Sequence, residues 1–205
     1  MSVVNEVLYK INILLLTLLM LSTYSLASSN VNRSYVGMLQ LAKNGDAKAQ
    51  YEVALAHQYG IGASRDYGKA IFWHKKAVEQ NSMFSQFSLG FMYYNGLGLK
   101  KSYKKTIALY TKSAKSGYAL AQFNLGYMYH VGKGTEVSYK DAVFWYEKAV
   151  KQGNSTALFN LAILYEEGLG VEKSSAIALE MYKKAAKSGN VNAINLLKER
   201  KIDWR

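Results

Sequence analysis

The sequence predicts an all-α protein, a solenoid of helix-turn-helix repeats, and three observations carry that expectation. A glycine pair separated by one residue recurs as Gly60/Gly62, Gly96/Gly98, Gly132/Gly134 and Gly168/Gly170, 36 residues apart each time, with no insertion or deletion. A fixed period in the range of about 20–50 residues is the signature of stacked repeats. Within each unit, apolar and small residues fall at the i, i+3, i+4, i+7 spacing of a helix face. Proline is absent from all 205 residues, so no ring interrupts those helices. Half the residues are apolar and 20% are charged, a balance that excludes a disordered chain.

The elements follow in order. Residues 1–27 hold an apolar run from Ile11 to Leu21, broken only by Asn12 and Thr17, and then Ser25-Leu26-Ala27. A short apolar core ending in small residues reads as a secretory signal cleaved after Ala27. The alternative is an uncleaved anchor, for which the run is short, since a span needs about 20 apolar residues. Residues 28–33 form a linker. Residues 34–45 align with the second helix of a unit, with Gly45 in the closing slot, and form an N-terminal cap.

Four units follow, at 46–81, 82–117, 118–153 and 154–189. Their first halves share small residues (Ala49, Ser85, Ala121, Ala157), aliphatic residues (Val53, Leu89, Leu125, Leu161) and a second small column (Ala54, Gly90, Gly126, Ala162). The glycine pair then ends one helix and turns the chain, because glycine enters the left-handed region without steric cost. Asp66, Ser102, Ser138 and Ser174 stand where an N-cap would start the second helix. That helix carries Ala70/Thr106/Ala142/Ala178 and His74/Tyr110/Tyr146/Tyr182, and closes at Asn81, Gly117, Gly153 or Gly189. Residues 190–205 match a first helix as a C-terminal cap. Ala193 and Leu197 keep the register, while Lys198 fills the slot held by Gly126 and Ala162. A polar residue there ends the stacking, as the terminal repeat of such an array requires.

The pattern A-x-A-Q-F-N-L-G-Y-M-Y-x-x-G-x-G…A-x-x-W-Y-x-K-A-x-x-x-G, clearest in residues 119–153, resembles the Sel-1-like repeat, a relative of the tetratricopeptide repeat. The resemblance covers residues 46–189 and implies antiparallel helix pairs in a right-handed superhelix. It also implies a role as a scaffold or adaptor that binds proteins. The first and fourth units depart mildly, as at Ala54 and Met181, and keep apolar or small character. Some cysteine-rich relatives of the family are associated with β-lactam binding; this chain has no cysteine and so falls outside that branch.

Composition narrows the chemistry. Without cysteine there is no lipoprotein attachment site, disulfide framework or thiolate metal site. The formal charge is +12, which favours anionic partners: nucleic acid, anionic lipid or acidic envelope polymers. A secretory signal argues against nucleic acid. The stretch Gly96 to Ser102, GLGLKKS, resembles a phosphate loop, but its spacing and strand context are wrong. Ser102-Tyr103-Lys104-Lys105 matches S-x-x-K without its partner motifs, leaving a β-lactam or cell-wall hydrolase as the weakest reading. His57, His74 and His130 lie in separate units without metal-ligand spacing. No catalytic residue, metal, cofactor or small-molecule substrate is expected.

Two candidate surfaces remain. If first helices line the concave side, as in the related fold, the groove is built from Tyr51/Phe87/Phe123/Phe159, from Leu55/Phe91/Tyr127/Ile163 and from Gln58/Tyr94/His130/Glu166. The first set is aromatic throughout and is expected to pack between repeats. The other two sets vary from unit to unit, as where a protein or peptide is read, with Phe91, Tyr94, Tyr127 and His130 as anchors. The alternative surface is basic: Lys112, Lys148 and Lys184 on second helices, with Lys100, Lys101, Lys104 and Lys105 around the adjoining loop. It would bind an anionic envelope polymer or lipid from the convex side. A periplasmic or secreted location follows from the signal segment.

Overall fold

The sequence folds, in a computed structural model that describes residues 35–205, into ten helices and no strand among those residues. They are α1 (Tyr35–Lys43), α2 (Ala47–Tyr59), α3 (Tyr67–Glu79), α4 (Met83–Asn95), α5 (Tyr103–Lys115), α6 (Ala119–Val131), α7 (Tyr139–Lys151), α8 (Ser155–Glu167), α9 (Ser175–Lys187) and α10 (Val191–Glu199). The expected signal segment 1–27 and the linker 28–33 lie outside the described residues. Helices α2 to α9 are each 13 residues long, close to 20 Å at about 1.5 Å per residue. Each helix packs chiefly against its neighbours in sequence, the contact pattern of an α-solenoid.

Both ends of each turn are built the same way four times over. Gly60, Gly96, Gly132 and Gly168 adopt the left-handed conformation, and each N–H bonds back to the carbonyl four residues earlier. Asp66, Ser102, Ser138 and Ser174 are extended and accept from the N–H three residues on, which satisfies a helix donor that would otherwise be orphaned. The second glycine has a different task. A Cβ on Gly98 would lie 2.5 Å from the Tyr67 Cβ, and one on Gly170 would lie 2.5 Å from the Tyr139 carbonyl carbon. Gly134 sits equally close on Tyr103. The turns of the second, third and fourth repeats are therefore seated on the first residue of the preceding repeat's second helix. Where no further turn follows, that position is Ser175.

The core runs along the interface of first and second helices. Tyr110, Tyr146 and Tyr182 are buried to 1% exposure or less, each beside Phe87, Phe123 or Phe159. At Gly90 and Gly126 an added Cβ would come 2.8 Å from the tyrosine ring, and there the Phe–Tyr pairs stack at 17° and 28°. Where the small residue is alanine, at Ala54 and Ala162, the ring pairs tilt to 49° and 50°. The aromatic column also bridges units, as expected: Phe87 meets Tyr118 at 5.2 Å and Tyr51 meets Phe84 at 5.6 Å.

Candidate functional site

The first-helix column Leu55, Phe91, Tyr127 and Ile163 sits one turn before the residues that cap each first helix. Leu55 is buried, 7% exposed. Phe91, Tyr127 and Ile163 are half-buried, with Tyr127 and Ile163 flanking the cores of the third and fourth repeats. These three side chains, on α4, α6 and α8, keep part of their apolar surface in solvent on equivalent positions of successive repeats.

The column Gln58, Tyr94, His130 and Glu166 is occupied internally. Each member faces the buried ring 16 residues later in the same repeat. His74 donates from Nε2 to Gln58 Oε1 at 3.0 Å, while its Nδ1 accepts from Ser85 Oγ at 3.2 Å. Tyr94 shares a core cluster with Tyr110. Tyr146 donates to His130 Nδ1 at 3.3 Å and accepts from Asn160 at 3.4 Å. Tyr182 donates to Glu166 Oε2 at 2.8 Å, and Arg200 grips both oxygens of the same carboxylate at 2.7 and 3.2 Å. That arginine holds the Glu166 carboxyl below the usual range despite some burial, with Tyr182 helping. Burial pushes the His130 imidazole down, opposed by Glu167. Gln58 and Tyr94 are 2% and 6% exposed, so they offer a ligand little surface. Every member of this column thus has a neighbour inside the fold.

The lysines divide into two places. Lys100, Lys101, Lys104 and Lys105 are exposed around the second turn and the start of α5. Lys112, Lys148 and Lys184 are exposed in the last turns of α5, α7 and α9, about 12 Å further along the helix from the level of Lys104. Lys112 and its equivalents thus face the helix C-terminus, where cations are favoured. Lys101 lies 5.0 Å from the Tyr103 ring centroid, Lys105 lies 5.0 Å from that of Tyr93, and Lys148 lies 4.8 Å from that of Phe144.

Lys133 is a residue the sequence reading passed over. It occupies the middle of the third Gly-x-Gly, where the other turns have Ile61, Leu97 and Leu169. Its Nζ donates to Tyr94 Oη at 2.7 Å and lies 4.7 and 5.2 Å from the Tyr94 and Tyr103 ring centroids. Burial opposes its charge, yet the Tyr94 hydrogen bond and the surrounding phenols leave its pKa raised. A cation in an otherwise aliphatic column was the signal available in the sequence.

Among the described residues, no group of three or more His, Cys, Asp or Glu is placed to hold a metal, and no helix is long and apolar enough to cross a membrane. A shallow hollow of about 600 Å³ lies between α7, α8 and α9, lined by Val150, Leu158, Ile177 and Lys184 among others. None of the eight first-helix candidates reaches it.

The family model of the Sel1 repeat matches four segments, residues 47–82, 84–118, 119–154 and 155–190. Among solved structures, the chain is 32% identical to a Sel1 repeat protein from Oxalobacter formigenes, with a TM-score of 0.74, covering 80% of this chain and 66% of that one. It is 34% identical to a protective antigen of uropathogenic Escherichia coli that displays an SLR fold, with a TM-score of 0.78, covering 84% of this chain and 37% of that one. It is 26% identical to Helicobacter pylori cysteine rich protein B, with a TM-score of 0.50, covering 65% of this chain and 96% of that one. No curated protein matches the chain.

Proposed function

The chain belongs to the Sel1 repeat family, and from that premise we propose that it is a non-enzymatic scaffold of the cell envelope or the exterior. It binds a segment of a partner protein along the faces of α4, α6 and α8. Sel1 repeat proteins generally act as protein-interaction scaffolds, which supports the class. The observation that carries the surface is the half-buried column Phe91, Tyr127 and Ile163, aligned by the 36-residue period and different in each repeat. Rings and branched aliphatics in that setting supply contact area at low entropic cost, and exposed aromatics commonly act as interface hot spots worth about 2 kcal/mol or more. His130 and Glu166 stand half-buried at the edge of this column; Leu55, Gln58 and Tyr94 shape it from beneath. The periplasmic or secreted location rests on the apolar run and the Ser25-Leu26-Ala27 site of residues 1–27.

The test is an affinity capture from envelope extract with the chain and its Phe91→Ala/Tyr127→Ala variant, after thermal melting shows that both fold. Specific partners are expected to fall by at least about tenfold in the variant, as the loss of one hot spot implies. Unchanged recovery rejects this surface. Recovery through apolar contacts is also expected to persist at raised salt, because screening weakens exposed charge contacts and leaves apolar ones.

A further inference from the structure

From Gln80 to Thr135 the chain carries seven lysines, Lys100, Lys101, Lys104, Lys105, Lys112, Lys115 and Lys133, and no aspartate or glutamate. The ion pairs found among the described residues all lie elsewhere: Asp66–Lys69, Lys76–Glu79, Glu180–Lys183, Glu166–Arg200 and Asp203–Arg205. The second repeat thus presents cations without carboxylates of its own.

Within that stretch one group of residues is organised. Lys133 departs from a column that elsewhere holds Ile61, Leu97 and Leu169, and Tyr94 is this repeat's member of a column that differs in every repeat. The two meet each other at 2.7 Å. Tyr103 lies 5.3 Å from Tyr94, and two ammonium groups, Lys101 and Lys133, stand 5.0 and 5.2 Å from its ring centroid. The turn that carries Lys133 is fixed in place, because Gly134 sits directly on Tyr103. Lys133 uses one of its three N–H donors on Tyr94. Two like charges near one ring repel each other, and an anion bound beside them offsets that repulsion and takes up remaining donors.

We propose that Lys101 and Lys133, poised over the Tyr103 ring, hold a carboxylate of an acidic segment in a partner protein, with Lys100 and Lys104 receiving its neighbours. The assignment rests on the scaffold reading above and adds the chemistry of the partner. Charge complementarity selects an acidic occupant. A protein segment is favoured over a membrane because the cations converge on one partly buried, hydrogen-bonded ring cluster, where a lipid surface needs only a diffuse charged face.

The test is fluorescence anisotropy of the full chain with a fluorescein-labelled decaglutamate peptide, against a Gly-Ser peptide of equal length and phosphatidylglycerol vesicles. The variants are Lys133→Leu and Lys101→Val, which install residue types that other repeats carry at those positions, and Lys151→Gln as a charge-matched control on α7. Decaglutamate is expected to bind, and each of the first two variants to weaken it about tenfold, as loss of a charge-assisted contact implies. The control is expected to change it less than twofold. Equal weakening by Lys151→Gln overturns the site in favour of bulk charge. Binding to the vesicles with none to decaglutamate overturns it in favour of a membrane, and no binding to either overturns it outright. If decaglutamate binding fails while partner capture still depends on Phe91 and Tyr127, only the acidic-segment assignment falls; if capture is independent of those residues, the scaffold surface falls with it.

Discussion

At position 74 the first repeat carries histidine where the other three carry Tyr110, Tyr146 and Tyr182. The ring is fully buried, and desolvation pushes its pKa down to about 3. Its neutral form suits the site, donating to Gln58 and accepting from Ser85. Because the folded value lies below the unfolded one of about 6.5, the unfolded chain takes up the proton first. The stabilisation is complete above about pH 6.5 and is lost as pH falls towards 3, at up to about 1.4 kcal/mol per pH unit. Denaturant unfolding of the wild type between pH 7 and 4 should show this slope, and His74→Tyr should flatten it; an equal slope in both proteins would show that His74 does not titrate on unfolding. The sequence sets His74 in a column of rings beside Tyr110, Tyr146 and Tyr182, but does not show its complete burial. Nor could it show that Gln58, Tyr94, His130 and Glu166 each meet a neighbour inside the fold, since those contacts join residues 16 apart.

Between elements, the repeats are joined by a clasp that two junctions possess and a third lacks. Gln80 Nε2 donates to the Gly45 carbonyl at 2.8 Å and to Gln50 Oε1 at 2.9 Å, tying the end of α3 to the start of α2. Gln152 repeats both bonds, to the Gly117 carbonyl at 2.9 Å and Gln122 Oε1 at 2.8 Å. The second repeat keeps the buried acceptor, Gln86, but has Ser116 where the donor belongs, and Gln86 Oε1 has no partner among the described residues. The fourth repeat replaces both, with Leu158 and Ser188, and needs no bond. A buried unsatisfied carbonyl costs about 1–3 kcal/mol. Ser116→Gln is therefore expected to raise the unfolding free energy by about 1 kcal/mol in urea titration; a loss of stability would mean that the second repeat cannot accommodate the longer side chain. Helix bounds, caps and turns were legible from the columns because each depends on local chemistry. The clasp was not, because it joins residues 30 apart whose identities make sense only as pairs.

Across the whole molecule, the 36-residue period fixed the solenoid, since each unit can bury its apolar face only against the next. Regular stacking also brings Phe91, Tyr127 and Ile163 onto one series of helices, and seats the last three glycine turns on the previous repeat. The lysine-rich second repeat interrupts that regularity, and Lys133, which joins it from the turn of the third repeat, was hidden in a turn read only for its glycines. The central claim, that a partner protein lies along α4, α6 and α8, is tested most directly by hydroxyl-radical footprinting of the chain alone and bound to a captured partner. The second-helix residues Phe72 and Phe144, 52% and 49% exposed, serve as internal references. Binding is predicted to protect Phe91 and Tyr127 from oxidation and leave Phe72 and Phe144 as reactive as before. Protection of Phe72 and Phe144 with no change at Phe91 and Tyr127 would contradict it.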